Sequence, residues 1–121
     1  MRYGGHAFGF RQPDAQGRDS EFQRFYDHRE EVLPWIKEYS PYEHAGPGDP
    51  PIFLDYPSQD KPARLGEEQK DPTHSAVMGV TLQEKLRENG DEAHLAYPGH
   101  PDPDYASITD FLVAKLTGKR P

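Results

Sequence analysis

Histidine is the side chain best suited to moving protons near neutral pH, and this chain has 6 of them and no cysteine. The densest grouping is His100-Pro101-Asp102-Pro103-Asp104, an imidazole with two carboxylates, the donor types that a hard divalent ion or zinc takes. Prolines at alternate positions make this segment extended rather than a closed cage, so neither a metal site nor a cofactor is expected. His74 stands beside Ser75 at a predicted helix start, where a cap or surface role is the simpler reading of the histidine. His6, His28, His44 and His94 show no paired ligand spacing. The run Gly4-Gly5-His6-Ala7-Phe8-Gly9 lacks both the glycine spacing of a dinucleotide fingerprint and the Gly-Lys-Ser/Thr ending of a nucleotide loop, and it reads as a turn.

The elements that must position these residues follow from apolar spacing and breakers. Ile52-Phe53-Leu54-Asp55-Tyr56 follows a proline pair and predicts a short buried strand. Ala76, Val77, Val80, Leu82 and Leu86 recur at roughly helical spacing until Asn89-Gly90 ends the pattern, where glycine tolerates positive φ. A second strand, Ala93 to Tyr97, runs into Pro98-Gly99-His100, and Ile108, Phe111, Leu112 and Leu116 mark a closing helix. Two strands joined by a helix of this length are most simply parallel with a right-handed crossover. The loops 57–72 and 98–104 then share one edge of the sheet, the edge where α/β proteins place their chemistry.

Upstream, Asp19 or Ser20 is positioned to cap a helix carrying Phe22, Phe25 and Tyr26 on one side. Pro34 removes a backbone donor inside the continuing pattern, which predicts a kink or two helices meeting near His28–Leu33. Trp35 and Ile36 are expected to anchor that region in the core, and residues 2–10 form a short strand or a loop. The organisation expected is an N-terminal loop and helical segment, 1–50, of lid or cap type, followed by an α/β unit over 51–121.

With 33% hydrophobic against 29% charged residues, 13 prolines and 11 glycines in 121 residues, the core must be thin. Two parallel strands normally need both faces covered, so a homo-oligomer or a missing N-terminal partner is expected to complete the fold. The net charge of −7 and the lack of a basic stripe argue against a nucleic-acid partner. No apolar stretch approaches membrane-spanning length, and the start Met1-Arg2-Tyr3-Gly4-Gly5 lacks the apolar block of a signal peptide. A soluble chain without a membrane partner is expected, with no compartment assigned.

Taken together, several stretches resemble a known family. Ser40-Pro41-Tyr42-Glu43-His44, Asp49-Pro50-Pro51-Ile52-Phe53-Leu54, Asp71-Pro72-Thr73-His74-Ser75, Leu82-Gln83-Glu84-Lys85-Leu86 with Asn89-Gly90, and Tyr97-Pro98-Gly99-His100 before Ile108-Thr109-Asp110-Phe111-Leu112 are similar, in order and spacing, to the C-terminal third of an α/β-hydrolase. The nearest flavour is the esterase and acetylxylan-esterase-like group, and the likeness covers roughly residues 40–116. The resemblance implies a partial α/β-hydrolase fold, a parallel strand-helix-strand-helix unit preceded by one or two helices, acting on small or carbohydrate esters. It also implies His100 as the base of a Ser-His-Asp triad. Asp60 lies where a strand-to-loop alignment puts the acid, whereas Asp71 lies beside the helix start in an Asp-Pro-x-x-Ser context and is preferred; a helix cap is the other reading of Asp71.

The nucleophile is where this chain departs from the family. The Gly-x-Ser-x-Gly turn does not occur, and Ser20, Ser40, Ser58, Ser75 and Ser107 are none of them flanked by two glycines at that spacing. The resemblance therefore implies the acid and base half of an ester hydrolase, with the isolated chain weak or inactive. Ser75, beside His74, is the one substitute nucleophile worth testing. The reading from another class is a non-catalytic α/β module that associates through its exposed sheet edge.

Overall fold

Breakers and caps set the helix ends across residues 24–71 and 74–119, the part of the chain that the computed structural model describes. The described residues fall into two compact units, 24–44 with 66–71 and 45–65 with 74–119. The expected strand or loop at residues 2–10, the cap at Asp19 or Ser20, and Phe22 lie outside the described residues.

In the first unit, residues 24–27 are helical, turns occupy 28–32, and helix α1 spans Leu33–Tyr39. Pro34 sits in the first turn of α1, where its missing N–H would have had no intrahelical partner. Two helices meeting at the predicted place are the result. A short helix α2, Pro41–His44, follows, and His44 Nε2 donates to the Glu38 carbonyl at 2.6 Å, tying α2 back to α1. Phe25 is buried, but the anchoring role expected of Trp35 is not met: its side chain is 56% exposed, and α1 fully buries none of its residues. The turns at 28–32 reset the helical phase, so the spacing from Phe25 to Trp35 no longer defines one face.

The second unit is mixed α/β. Its elements are β1 (Ile52–Asp55), α3 (Ala76–Glu88), β2 (Ala93–Ala96) and α4 (Ile108–Thr117). The strands pair parallel, with Ile52 opposite Ala93 and Asp55 opposite Ala96, and Tyr56 N–H donates to the Ala96 carbonyl beyond the last pair. α3 begins at Ser75, whose Oγ accepts the Val77 N–H, and ends at Asn89 before Gly90 at φ +87°. α4 begins at Ser107, whose Oγ accepts the Asp110 N–H, and closes on left-handed Gly118.

Period-two alternation sorts the strand side chains onto two faces. Tyr56 and Leu95 meet α3 at Gly79, where an added Cβ would lie 2.9 Å from Leu95 Cδ1 and closer still to the Tyr56 ring. Phe53 and His94 face the other way, where Tyr105, Phe111 and Ala114 form a buried cluster with Phe53 against it. Helices thus cover both faces of a two-stranded sheet whose edges carry no further strand among the described residues. No helix among them is long and apolar enough to cross a membrane.

Candidate functional site

Parallel pairing sends the loops after β1 and β2 away from the same edge of the sheet, as expected. At that edge Tyr97-Pro98-Gly99-His100 closes on itself: His100 N–H donates to the Tyr97 carbonyl at 2.8 Å, and Tyr97 N–H donates back to the His100 carbonyl at 3.1 Å. Proline at the second position and glycine at φ +83° at the third make this the type II pattern. The turn leaves His100 exposed, with its ring stacked on Tyr97 at 4.8 Å and 13° between planes. The Tyr97 hydroxyl in turn accepts the Ala63 N–H at 3.3 Å, so the loop after β1 is fastened to the His100 turn.

The two candidate acids stand differently. Asp60 is exposed in the loop after β1, and it is not hydrogen-bonded to His100. Its neighbour Gln59 is buried as a strap, with Oε1 accepting the Ala76 N–H at 2.9 Å and Nε2 donating to the Lys61 carbonyl. Asp71 is exposed and belongs to the other compact unit. The cap of α3 is Ser75 rather than Asp71, and this buried capping position ties up the one serine considered as a substitute nucleophile.

A second imidazole is organised far more tightly. His94 is 4% exposed at the centre of β2, boxed by Tyr105 edge-on at 4.9 Å, Phe111 at 5.7 Å and Phe53 stacked at 6.1 Å. Its Nδ1 lies 3.0 and 3.2 Å from the Asp102 oxygens and its Nε2 lies 2.8 Å from Glu92 Oε1. Glu92 precedes His94 by two positions on an extended chain and so shares its side of the sheet. Asp102 is brought there by its own turn, Oδ1 accepting the N–H groups of Asp104 and Tyr105, each at 3.0 Å. Ionised carboxylates only accept hydrogen bonds, so each ring N–H of His94 has an acceptor in reach whichever nitrogen carries it. Lys115 from α4 reaches the other oxygen of Glu92, giving a hydrogen-bonded chain, Lys115, Glu92, His94, Asp102.

The local electrostatics agree with that chain. Burial pushes the Asp102 carboxyl up, but the two backbone N–H groups and His94 together outweigh it and hold it below the ordinary aspartate value. The hydrogen bond from Lys115, followed by that from His94, lowers Glu92, and Glu92 raises Lys115. Ligand atoms of His94, Asp102 and Asp104 lie within 4.8 Å of one another, which is metal-ligand proximity. Both nitrogens of His94 already face carboxylates, and this arrangement serves as an electrostatic clasp joining β2 to α4 and the 102–105 turn.

Sequence reasoning grouped Asp102 and Asp104 with His100 because they are adjacent in the chain. The structure groups them with His94, and Asp102 turns instead of continuing extended. The available signal was alternation: a histidine opposite in phase to Leu95 within a buried strand points at the face that Phe111 also covers. Comparison with protein-family models, with curated proteins and with solved structures returns no match to this chain.

Proposed function

We propose that this chain carries the acid and base half of a serine ester hydrolase of the α/β type, for small or carbohydrate esters, with His100 as base and Asp60, on the loop after β1 in the same unit, as acid. The observation that carries the proposal is the parallel β1-α3-β2-α4 order, with exposed His100 on a tight turn directly after β2 and hydrogen-bonded, through Tyr97, to the loop after β1. An exposed imidazole is free to exchange protons with substrate, which His94 is not. The nucleophile and oxyanion hole would come from a segment outside these 121 residues. General-base action by His100 toward water is the chemistry left to the chain itself, worth roughly a hundred- to ten-thousand-fold.

Hydrolysis of p-nitrophenyl acetate and butyrate by the purified chain, beside His100→Ala and Ser75→Ala, tests the reading. A slow rate lost in His100→Ala and kept in Ser75→Ala is expected. Robust turnover lost in Ser75→Ala, with covalent labelling by a fluorophosphonate, would instead make this a self-sufficient esterase. A rate equal to buffer for all three proteins would favour the second reading, a non-catalytic associating module, which sheet edges carrying no further strand among the described residues support.

A further inference from the structure

Helix α4 is apolar on two sides. Phe111 and Ala114 face the core, yet Ile108, Leu112, Val113 and Leu116 on the opposite side are 40, 48, 49 and 83% exposed. Ile108, Leu112 and Leu116 recur every four residues, which lines them up along one stripe, and no charged residue interrupts it. Exposed aliphatic side chains concentrated on one short helix are unlike the scattered apolar residues of an ordinary surface. We infer that this stripe is the contact through which two copies of the chain associate, α4 packing antiparallel on α4 about a two-fold axis at Leu112.

Two features of the stripe favour a second copy as its occupant. A two-fold interface must be self-complementary, and an aliphatic series centred on Leu112 presents the same pattern when reversed: Leu112 meets Leu112, and Ile108 meets Leu116 of the other copy. The exposed charges beyond the two helix ends are also of opposite sign, with Asp104 before the N-terminus and Lys119 after the C-terminus. Antiparallel packing sets each acidic end beside a basic one, and opposes the helix dipoles, whereas parallel packing would set like beside like. A lipid surface is disfavoured, because interfacial helices are rich in Lys and Arg and this chain carries a net charge of −7. At 10 residues α4 is about 15 Å long, so the contact is small and the affinity is in the micromolar range. The inference concerns association only and stands whether or not the hydrolase reading does.

Sedimentation velocity of the full chain at about 50 μM, several-fold above a micromolar Kd, is the test. The wild type should sediment at twice the 13.8 kDa of one chain. Leu112→Glu and Leu112→Lys should each be monomeric with unchanged far-ultraviolet circular dichroism, and an equimolar mixture should regain the dimer, because position 112 meets itself across the axis. Leu116→Ser, at the most exposed position, should weaken the dimer at least about tenfold even if a charge at 112 disturbs folding. A monomeric wild type, with the stripe covered by the chain's own residues 1–44 or by nothing, would overturn the inference. So would a dimer that survives the 112 and 116 variants, which would place association at the strand edges, or a 112 mixture that stays monomeric.

Discussion

His94 shows how a single buried imidazole can organise its surroundings. Its imidazole lies between Asp102 and Glu92 inside three aromatic rings, where an unpaired polar group is expensive. Asp102→Ala removes the buried partner of Nδ1 and leaves only Glu92 at Nε2. We expect a loss of about 1–3 kcal/mol, read as a lower midpoint in urea unfolding. His100→Ala, on an exposed turn, should stay within about 0.5 kcal/mol of wild type. A similar loss in both variants would mean that His94 is not the clasp described.

The pH dependence follows from the same carboxylates. Asp102 and Glu92 both have folded values below their ordinary ones, so each contributes stability that is fully present above the unfolded carboxylate range. That contribution is lost as pH falls through the lower, folded values, which puts the loss below about pH 4. Urea midpoints taken at descending pH should drop across that window, and the drop should be shallower in Asp102→Asn, which cannot ionise. Glu92 is partly solvent-exposed, so its share is the smaller of the two.

At the scale of elements, α3 depends on a residue chosen against its helix propensity. Glycine inside a helix costs up to about 1 kcal/mol relative to alanine, yet Gly79 is the fourth residue of α3. The reason is approach: a methyl group there would overlap the Tyr56 ring and press on Leu95. Gly79→Ala should therefore destabilise by about 1–3 kcal/mol despite the better propensity, with Tyr56→Leu in the same chain recovering part of the loss. A stabilised Gly79→Ala chain in thermal unfolding would show that the Tyr56 ring swings away at no cost. Ser75→Ala is the complementary case: loss of a cap that is also buried should cost about 1 kcal/mol or somewhat more, and circular dichroism should show α3 shortened at its start.

For the whole molecule, composition and topology point the same way. Two strands covered by one helix on each face leave, among the described residues, sheet edges without a further strand and an aliphatic stripe on α4, in a chain that is 33% hydrophobic. If association through α4 contributes to the folded state, stability is linked to concentration. The thermal midpoint should then rise as protein is taken from about 1 to 100 μM, and that rise should vanish in Leu112→Glu. A midpoint independent of concentration in the wild type would separate folding from association.

What the sequence determined by itself is the set of elements and their ends. Asn89-Gly90 ends α3 and Pro98-Gly99 makes the turn after β2, because such stops and turns are satisfied by residues a few positions away, whereas the capping roles of Ser75 and Ser107 came from the structure. The parallel order of β1 and β2 was legible for a similar reason, since a helix-length connection permits little else. Which imidazole meets Asp102 was decided only in three dimensions. Chain adjacency favoured His100, but the type II turn carries that residue outward while strand alternation carries His94 inward, to the face where Phe111 and Tyr105 exclude water and Asp102 turns back to meet it. Trp35 illustrates the same limit: its spacing from Phe25 suggested a shared face, and the turns at 28–32 broke the phase. Local hydrogen bonding writes itself into neighbouring residues, whereas the pairing of buried charges depends on which faces the folded chain brings together.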